Sequence, residues 1–115
     1  MNEIQIEALR KLLAKLYAPE GVERCGFITQ TSLVEVPNAH PDPVNGFDIS
    51  TEHIIQYSDC AIATWHTHPG SPSNLSGDDY ICFSNQWPGL LHFISGSDGV
   101  RCYKYDHDRA ALMEV

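Results

Sequence analysis

Ala61-Ile62-Ala63-Thr64-Trp65-His66-Thr67-His68-Pro69 is the stretch that decides how this chain reads. An uncharged run leads into two histidines at positions i and i+2. The run predicts a buried strand over 61–66. Alternation along a strand puts both imidazoles on one face, side by side at the rim of a sheet. Pro69 restricts His68 to extended backbone, which helps fix its ring. Beyond the Gly/Pro/Ser/Asn-rich loop 69–75, Asp79 offers a carboxylate as third ligand. Two His and one Asp, with a fourth position open, is the ligand count of a catalytic zinc rather than a structural one.

Each piece also has a plainer reading. Six histidines in 115 residues produce a His-x-His pair easily by chance. Ser76-Gly77-Asp78-Asp79 reads as a helix start, with Ser76 as cap and Asp79 near the third helical position. Trp65 falls on the strand face opposite the histidines, so core packing accounts for it, as it does for Phe83 and Trp87. His40, His53, His92 and His107 fit no ligand pattern and read as surface or core residues. Asp78, one place from the ligand position, reads as solvated or as supporting the ligands from outside.

Working outward, residues 3–17 place Ile6, Leu9, Leu12, Leu13 and Leu16 at helical spacing, and Pro19 and Gly21 end that helix. Residues 25–29 and 33–36 predict two short strands joined as a hairpin. Residues 37–46 are a Pro/Asn/Asp-rich loop, and Ser50 or Thr51 caps a second helix to about Ser58. A third helix runs from Ser76 to the Trp87-Pro88-Gly89 stop. Residues 90–95 and 100–105 form a last strand pair, with Gly96 and Gly99 supplying the turn. Asp106-His107-Asp108-Arg109 reads as a polar, frayed C-terminal segment. The expected order is α-β-β-α-β-α-β-β: an α/β protein with a mixed sheet flanked by helices.

Length and composition predict one domain with a real core, since 43% of the 115 residues are apolar. Seven basic against fifteen acidic residues give a net charge of −8, and no basic cluster occurs. That balance argues against nucleic acid or an anionic membrane as partner. No apolar stretch is long enough to span a bilayer, and the first residues do not resemble a secretory signal. A cytoplasmic protein is expected. Cys25, Cys60, Cys82 and Cys102 are widely spaced and read as reduced core residues rather than a disulfide framework.

Taken in order, Glu23, then His66-x-His68-Pro69, six residues, Ser76, two residues and Asp79 resemble the motif of the JAMM (JAB/MPN-type) metallopeptidases. That motif is an upstream Glu followed by H-x-H-P-x6-S-x2-D. Glu23-Arg24-Cys25-Gly26 is similar to the Glu-x-Cys-Gly segment of bacterial and phage members. Pro37-Asn38-Ala39 and Phe47-Asp48-Ile49 resemble the stretch that precedes their second helix. The nearest flavour is the JAMM domain of K-type phage tail assembly proteins. Those usually carry a second, NlpC-type cysteine peptidase domain, to which nothing in these residues corresponds.

The resemblance implies a curved mixed sheet wrapped by helices, in a layout like that of cytidine deaminases. It also implies a Zn2+ ion on His66, His68 and Asp79, with Glu23 as general base and Ser76 as donor to the oxyanion. Zinc so held lowers the pKa of a water towards about 7. The activity implied is hydrolysis of a peptide or isopeptide amide in a peptide or protein tail, in phage tail assembly or cell-wall peptide processing. The rival reading is a non-catalytic scaffold of the same fold, although scaffolds of this family have typically lost the ligands. A structural metal site is the third, disfavoured by only three visible protein ligands.

Overall fold

The first strand begins with Cys25-Gly26-Phe27-Ile28, and the glycine shows how the sheet is held. In the computed structural model, which describes residues 1–115 with Gln86 by its backbone alone, the Trp65 indole crosses over Gly26. There its N–H donates to the Val34 carbonyl at 3.0 Å. A Cβ on Gly26 would collide with that same carbonyl and lie 2.7 Å from the indole nitrogen. Trp65 is 1% exposed, and truncating such a side chain costs about 3–5 kcal/mol.

Six strands form one mixed sheet. They are β1 (Cys25–Ile28), β2 (Leu33–Val36), β3 (Ala63–Thr67), β4 (Leu91–Gly96), β5 (Gly99–Asp106) and β6 (Ala111–Glu114), in spatial order β2-β1-β3-β4-β5-β6. All neighbours are antiparallel except β3 and β4, which run parallel. A parallel pair needs a crossover, and the loop after β3 with helix α3 (Gly77–Gln86) supplies it. Helices α1 (Glu3–Ala14) and α2 (Thr51–Tyr57) complete the order, so the expected mixed α/β class is what the chain adopts.

Alternation along the strands sorts the core into two faces. Ile28, Ala63, Trp65, Phe93 and Cys102 pack with Ile6 and Leu13 of α1. On the other face Cys25, Phe27, Val36 and Ile49 cluster beside a second group of Phe83, Ile94, Tyr103 and Leu112. Helix α1 starts with a reciprocal cap, Asn2 and Gln5 each accepting the other's backbone N–H at 2.9 Å. It ends at Ala14, short of the expected residue 17, and Leu12 is exposed rather than part of the core face.

Two expectations need correction. The segment 106–109 is not frayed: Asp106 accepts the N–H groups of Asp108 and Arg109 at 2.9 and 3.3 Å. Ala110 then turns with φ 50°, and Ala111–Glu114 adds a sixth strand. Ala-Leu-Met-Glu lacks the β-branched residues that announce a strand, and only pairing with β5 and burial of Leu112 make it one. Of the cysteines, Cys25 and Cys102 are buried, but Cys60 is exposed just after α2. Among the described residues no helix is long and apolar enough to cross a membrane.

Candidate metal centre

The register of the sheet assembles the site. Cys25 pairs with His66 across β1 and β3. One step further, Thr67 donates its N–H to the Arg24 carbonyl at 2.9 Å, while its hydroxyl accepts the Arg24 N–H. Continuing that register sets Glu23 opposite His68, on the face that also carries His66. Arg24 alternates to the other face, where its guanidinium is bound to Glu35 at 2.9 and 2.6 Å. The cation next to Glu23 in sequence is thereby bound elsewhere.

Helix α3 delivers the third ligand. Ser76 caps it, its hydroxyl oxygen accepting the Asp79 N–H at 3.0 Å, while Asp79 Oδ2 accepts the Ser76 N–H at 3.2 Å. The capping reading of this segment and the ligand reading thus describe one arrangement, since the cap is what aims Asp79 inward. His66 Nε2 and His68 Nε2 stand 3.0 Å apart, and Asp79 Oδ2 lies 3.3 and 3.1 Å from them. A tetrahedral ion with bonds of about 2.0–2.1 Å separates its ligands by roughly 3.3 Å. The three atoms match that spacing. The Glu23 carboxylate forms a looser group with the same two imidazoles, the donor atoms lying within 4.8 Å of one another.

The two rings are oriented differently. His68 Nδ1 lies 2.9 Å from the Pro72 carbonyl. A carbonyl only accepts, so Nδ1 donates to it, and Nε2 is the atom turned inward to His66 and Asp79. His66 is fully buried and stacks on Phe47 with ring centroids 4.3 Å apart. Phe83 packs at a tilt 5.9 Å away. His66 Nδ1 finds no hydrogen-bond partner among the described residues.

Electrostatics follow from burial and these contacts. Burial lowers the pKa of His66 and keeps it neutral, as metal ligation requires. For His68 burial pulls the same way, but its bonds to Asp79 and Pro72 outweigh it and the net shift is upward. Burial alone would raise the Asp79 carboxyl; the two imidazoles and the Ser76 N–H overcome it and hold Asp79 well below the usual carboxylate range. Glu23 is pushed up to about 7, chiefly by burial, with His68 opposing and Asp79 adding. Burial also lifts the thiols of Cys25 and Cys82 to about 12 and 11, so neither is a ready thiolate. Two imidazoles and one ionised carboxylate, at this spacing, fit a divalent metal ion, which would displace the proton that His68 favours in its absence.

These groups open into a cleft of about 200 Å³, walled by Glu23, His40, Phe47, His68, Ser76 and Asp79. Asp48 and Asp78 lie at the same cleft, both exposed. A larger hollow of about 640 Å³ between Met1, Ile62 and Lys104 holds no such convergence of donors. All five sequence-derived site residues therefore meet in one place. Sequence reasoning gave no role to Phe47 against His66, or to Asn38. The Asn38 amide donates to the carbonyls of Glu23 and Gly46 at 2.8 and 2.9 Å. Its oxygen accepts from His40 and Asp48. It pins the loop 37–48 against the segment that leads into β1 and carries Glu23. His92, in contrast, is a core residue, one of the two readings its sequence position left open.

No family model and no curated protein matches this chain. Two solution structures share its fold. One is of a protein from Desulfitobacterium hafniense, 17% identical, covering 99% of this chain and 87% of that one with a TM-score of 0.62. The other, from Salinibacter ruber, is 15% identical, covers 99% and 86%, and has a TM-score of 0.50. At these identities the likeness speaks for the fold alone.

Proposed function

We propose that this chain is a zinc-dependent metallopeptidase of the JAMM type, hydrolysing a peptide or isopeptide amide in a peptide or protein tail. The observation that carries the proposal is the mutual 3.0–3.3 Å approach of His66 Nε2, His68 Nε2 and Asp79 Oδ2 beside the buried Glu23 carboxylate. The residue order that resembles the JAMM motif supplies the class, and phage tail assembly or cell-wall peptide processing as its setting.

His66, His68 and Asp79 would hold the ion, which when bound supplies a Lewis acid that polarises water and a substrate carbonyl. Glu23 has the properties of the general base. It is buried, takes up a proton near neutral pH, and faces the cluster without belonging to its tight triad. In this role it accepts the proton of the attacking water and returns it to the departing amine. The Ser76 hydroxyl uses a lone pair for the helix cap and keeps its own O–H to give to the developing oxyanion. Phe47 and Phe83 exclude water behind His66. Asp48 and Asp78 make the cleft unfavourable for phosphodiesters and other polyanions.

The test is metal analysis of the purified protein together with an assay panel. The panel holds quenched peptides, an isopeptide-linked tail, a phosphodiester and a glycoside, each with zinc present. About one zinc per chain and cleavage of amides alone are expected. Cleavage of only the phosphodiester or glycoside refutes the amidase reading, and failure on all four moves the weight to the scaffold.

A further inference from the structure

We infer that Asp98, on the turn between β4 and β5, is a positioning residue for His68 that acts through a single peptide group. The peptide joining Pro72 to Ser73 is bonded on both sides. Its carbonyl receives the His68 Nδ1 proton at 2.9 Å, and its N–H donates to Asp98 Oδ1 at 2.8 Å. A peptide unit is planar and rigid, so the carboxylate that grips the N–H fixes the direction of the carbonyl. The Ser73 hydroxyl donates to the same Asp98 oxygen at 2.7 Å.

The surroundings leave this peptide little other freedom. Ser73 is fully buried, and the Tyr103 hydroxyl donates to its carbonyl at 3.1 Å. The strand backbone beneath is Gly96, where a Cβ would lie 2.6 Å from the Pro72 carbonyl carbon and 2.7 Å from the Ser71 oxygen. Ser97 donates its N–H to the Ser71 carbonyl at 2.8 Å. Asp98 is the carboxylate that, among the described residues, bonds directly to this peptide. A carboxylate on the N–H polarises the amide and makes its oxygen a better acceptor. A better acceptor holds His68 in its Nδ1–H tautomer and raises the basicity of Nε2. The chain Asp98, peptide, His68 thus does what a carboxylate bonded directly to a ligating histidine does elsewhere, from a turn outside the cleft.

The inference rests on the reading of His68 as a metal ligand, and two measurements separate them. In metal-free protein, at a pH raised until the His68 ring carries a single proton, the long-range proton–nitrogen NMR spectrum of the wild type is expected to show His68 as the Nδ1–H tautomer. Asp98→Ala is expected to show a tautomer mixture. Zinc affinity, read by competition with a chromophoric chelator, is expected to fall about 10- to 100-fold in Asp98→Ala. Asp98→Asn, which keeps an acceptor oxygen without the charge, should fall between. Arg101→Gln removes the cation that faces Asp98 but no bond to the peptide, and should lower neither the Nδ1–H population nor the zinc affinity.

A clasp that only stabilises the fold would lower the melting temperature and move neither the tautomer nor the affinity. That result in folded Asp98→Ala overturns the inference. If Asp98→Ala does not fold, unchanged values in Asp98→Asn overturn it. If the wild type binds no zinc, the metallopeptidase reading falls, and the tautomer measurement still decides the role of Asp98.

Discussion

His66 and His92 sit on adjacent parallel strands, on the same face and fully buried. Phe83 touches both rings, stacking on His92 at 3.9 Å between centroids and tilting against His66 at 5.9 Å. Their nitrogens differ. His92 Nε2 must donate to the Trp87 carbonyl at 2.9 Å, so its Nδ1 accepts the Thr64 hydroxyl proton at 2.7 Å. Every polar atom of that ring is paired. His66 Nδ1 has no partner among the described residues, and its Nε2 faces another imidazole nitrogen and a carboxylate. Burying polar atoms unpaired costs free energy, so a fold keeps such an arrangement where something else compensates. The saturated histidine is part of the core, and the unsaturated one marks the site.

The comparison breaks most sharply through Glu23, the group that borders the unsaturated cluster. Glu23→Gln keeps shape and burial but removes the proton acceptor. Amide hydrolysis should fall about 10²- to 10⁴-fold with zinc content unchanged, measured by turnover and elemental analysis on the same sample. Loss of zinc in this variant would place Glu23 among the ligands, where its looser grouping with His66 and His68 makes it a candidate.

Next comes a paired substitution. In His66→Gln, zinc affinity should drop more than about a hundredfold, beyond what loss of a supporting contact costs. His92→Gln should retain the wild-type affinity. Equal affinities in all three proteins would remove the distinction between the two histidines.

The motif residues were legible because strand alternation and helix capping are local rules. His66 and His68, two apart across the end of β3, and Asp79, three after the cap Ser76, take their relative positions from backbone geometry alone. Glu23 required the JAMM resemblance, since only the β1–β3 register brings it opposite His68. Phe47, Asn38 and Asp98 gave no signal of their roles, because each acts through contacts made by loops folding back over the sheet. The sixth strand was invisible for a related reason: Ala111–Glu114 has little strand propensity and is fixed by its partner β5. His92 read as a surface or core residue only because it matched no ligand pattern, whereas what places it in the core is the pair of partners Thr64 and Trp87.

Metal-free stability tests the same contrast with a smaller effect. His92→Leu leaves the Trp87 carbonyl and the Thr64 hydroxyl without their partner in a buried setting, which should cost about 2–4 kcal/mol. His66→Leu removes a ring with one unpaired nitrogen and should cost less, its main loss being the contact with Phe47. Denaturant unfolding under chelator measures both. A greater loss in His66→Leu than in His92→Leu would show that the ranking by polar saturation is wrong.

The smallest effect is the pH dependence that His92 imposes. Burial lowers its pKa to about 4 in the folded protein, with the Trp87 carbonyl opposing in part, while the unfolded chain titrates near the usual 6.5. The folded state therefore refuses a proton that the unfolded state accepts. The contribution of His92 to stability is fully present above about pH 6.5 and is lost progressively as pH falls towards 4. Between pH 6.5 and 5 the loss should be about 1.5 kcal/mol, below the limiting slope of about 1.36 kcal/mol per unit because the unfolded imidazole is only half protonated at the start of the window. His66, His68 and Asp79 titrate differently on folding as well, so the informative quantity is the difference between wild type and His92→Leu, in which those groups are shared. Unfolding free energies of the two proteins should converge as the pH drops through this window. Parallel curves would mean that His92 takes up its proton in the folded state as readily as in the unfolded one. Its saturation would then not be what distinguishes it from His66.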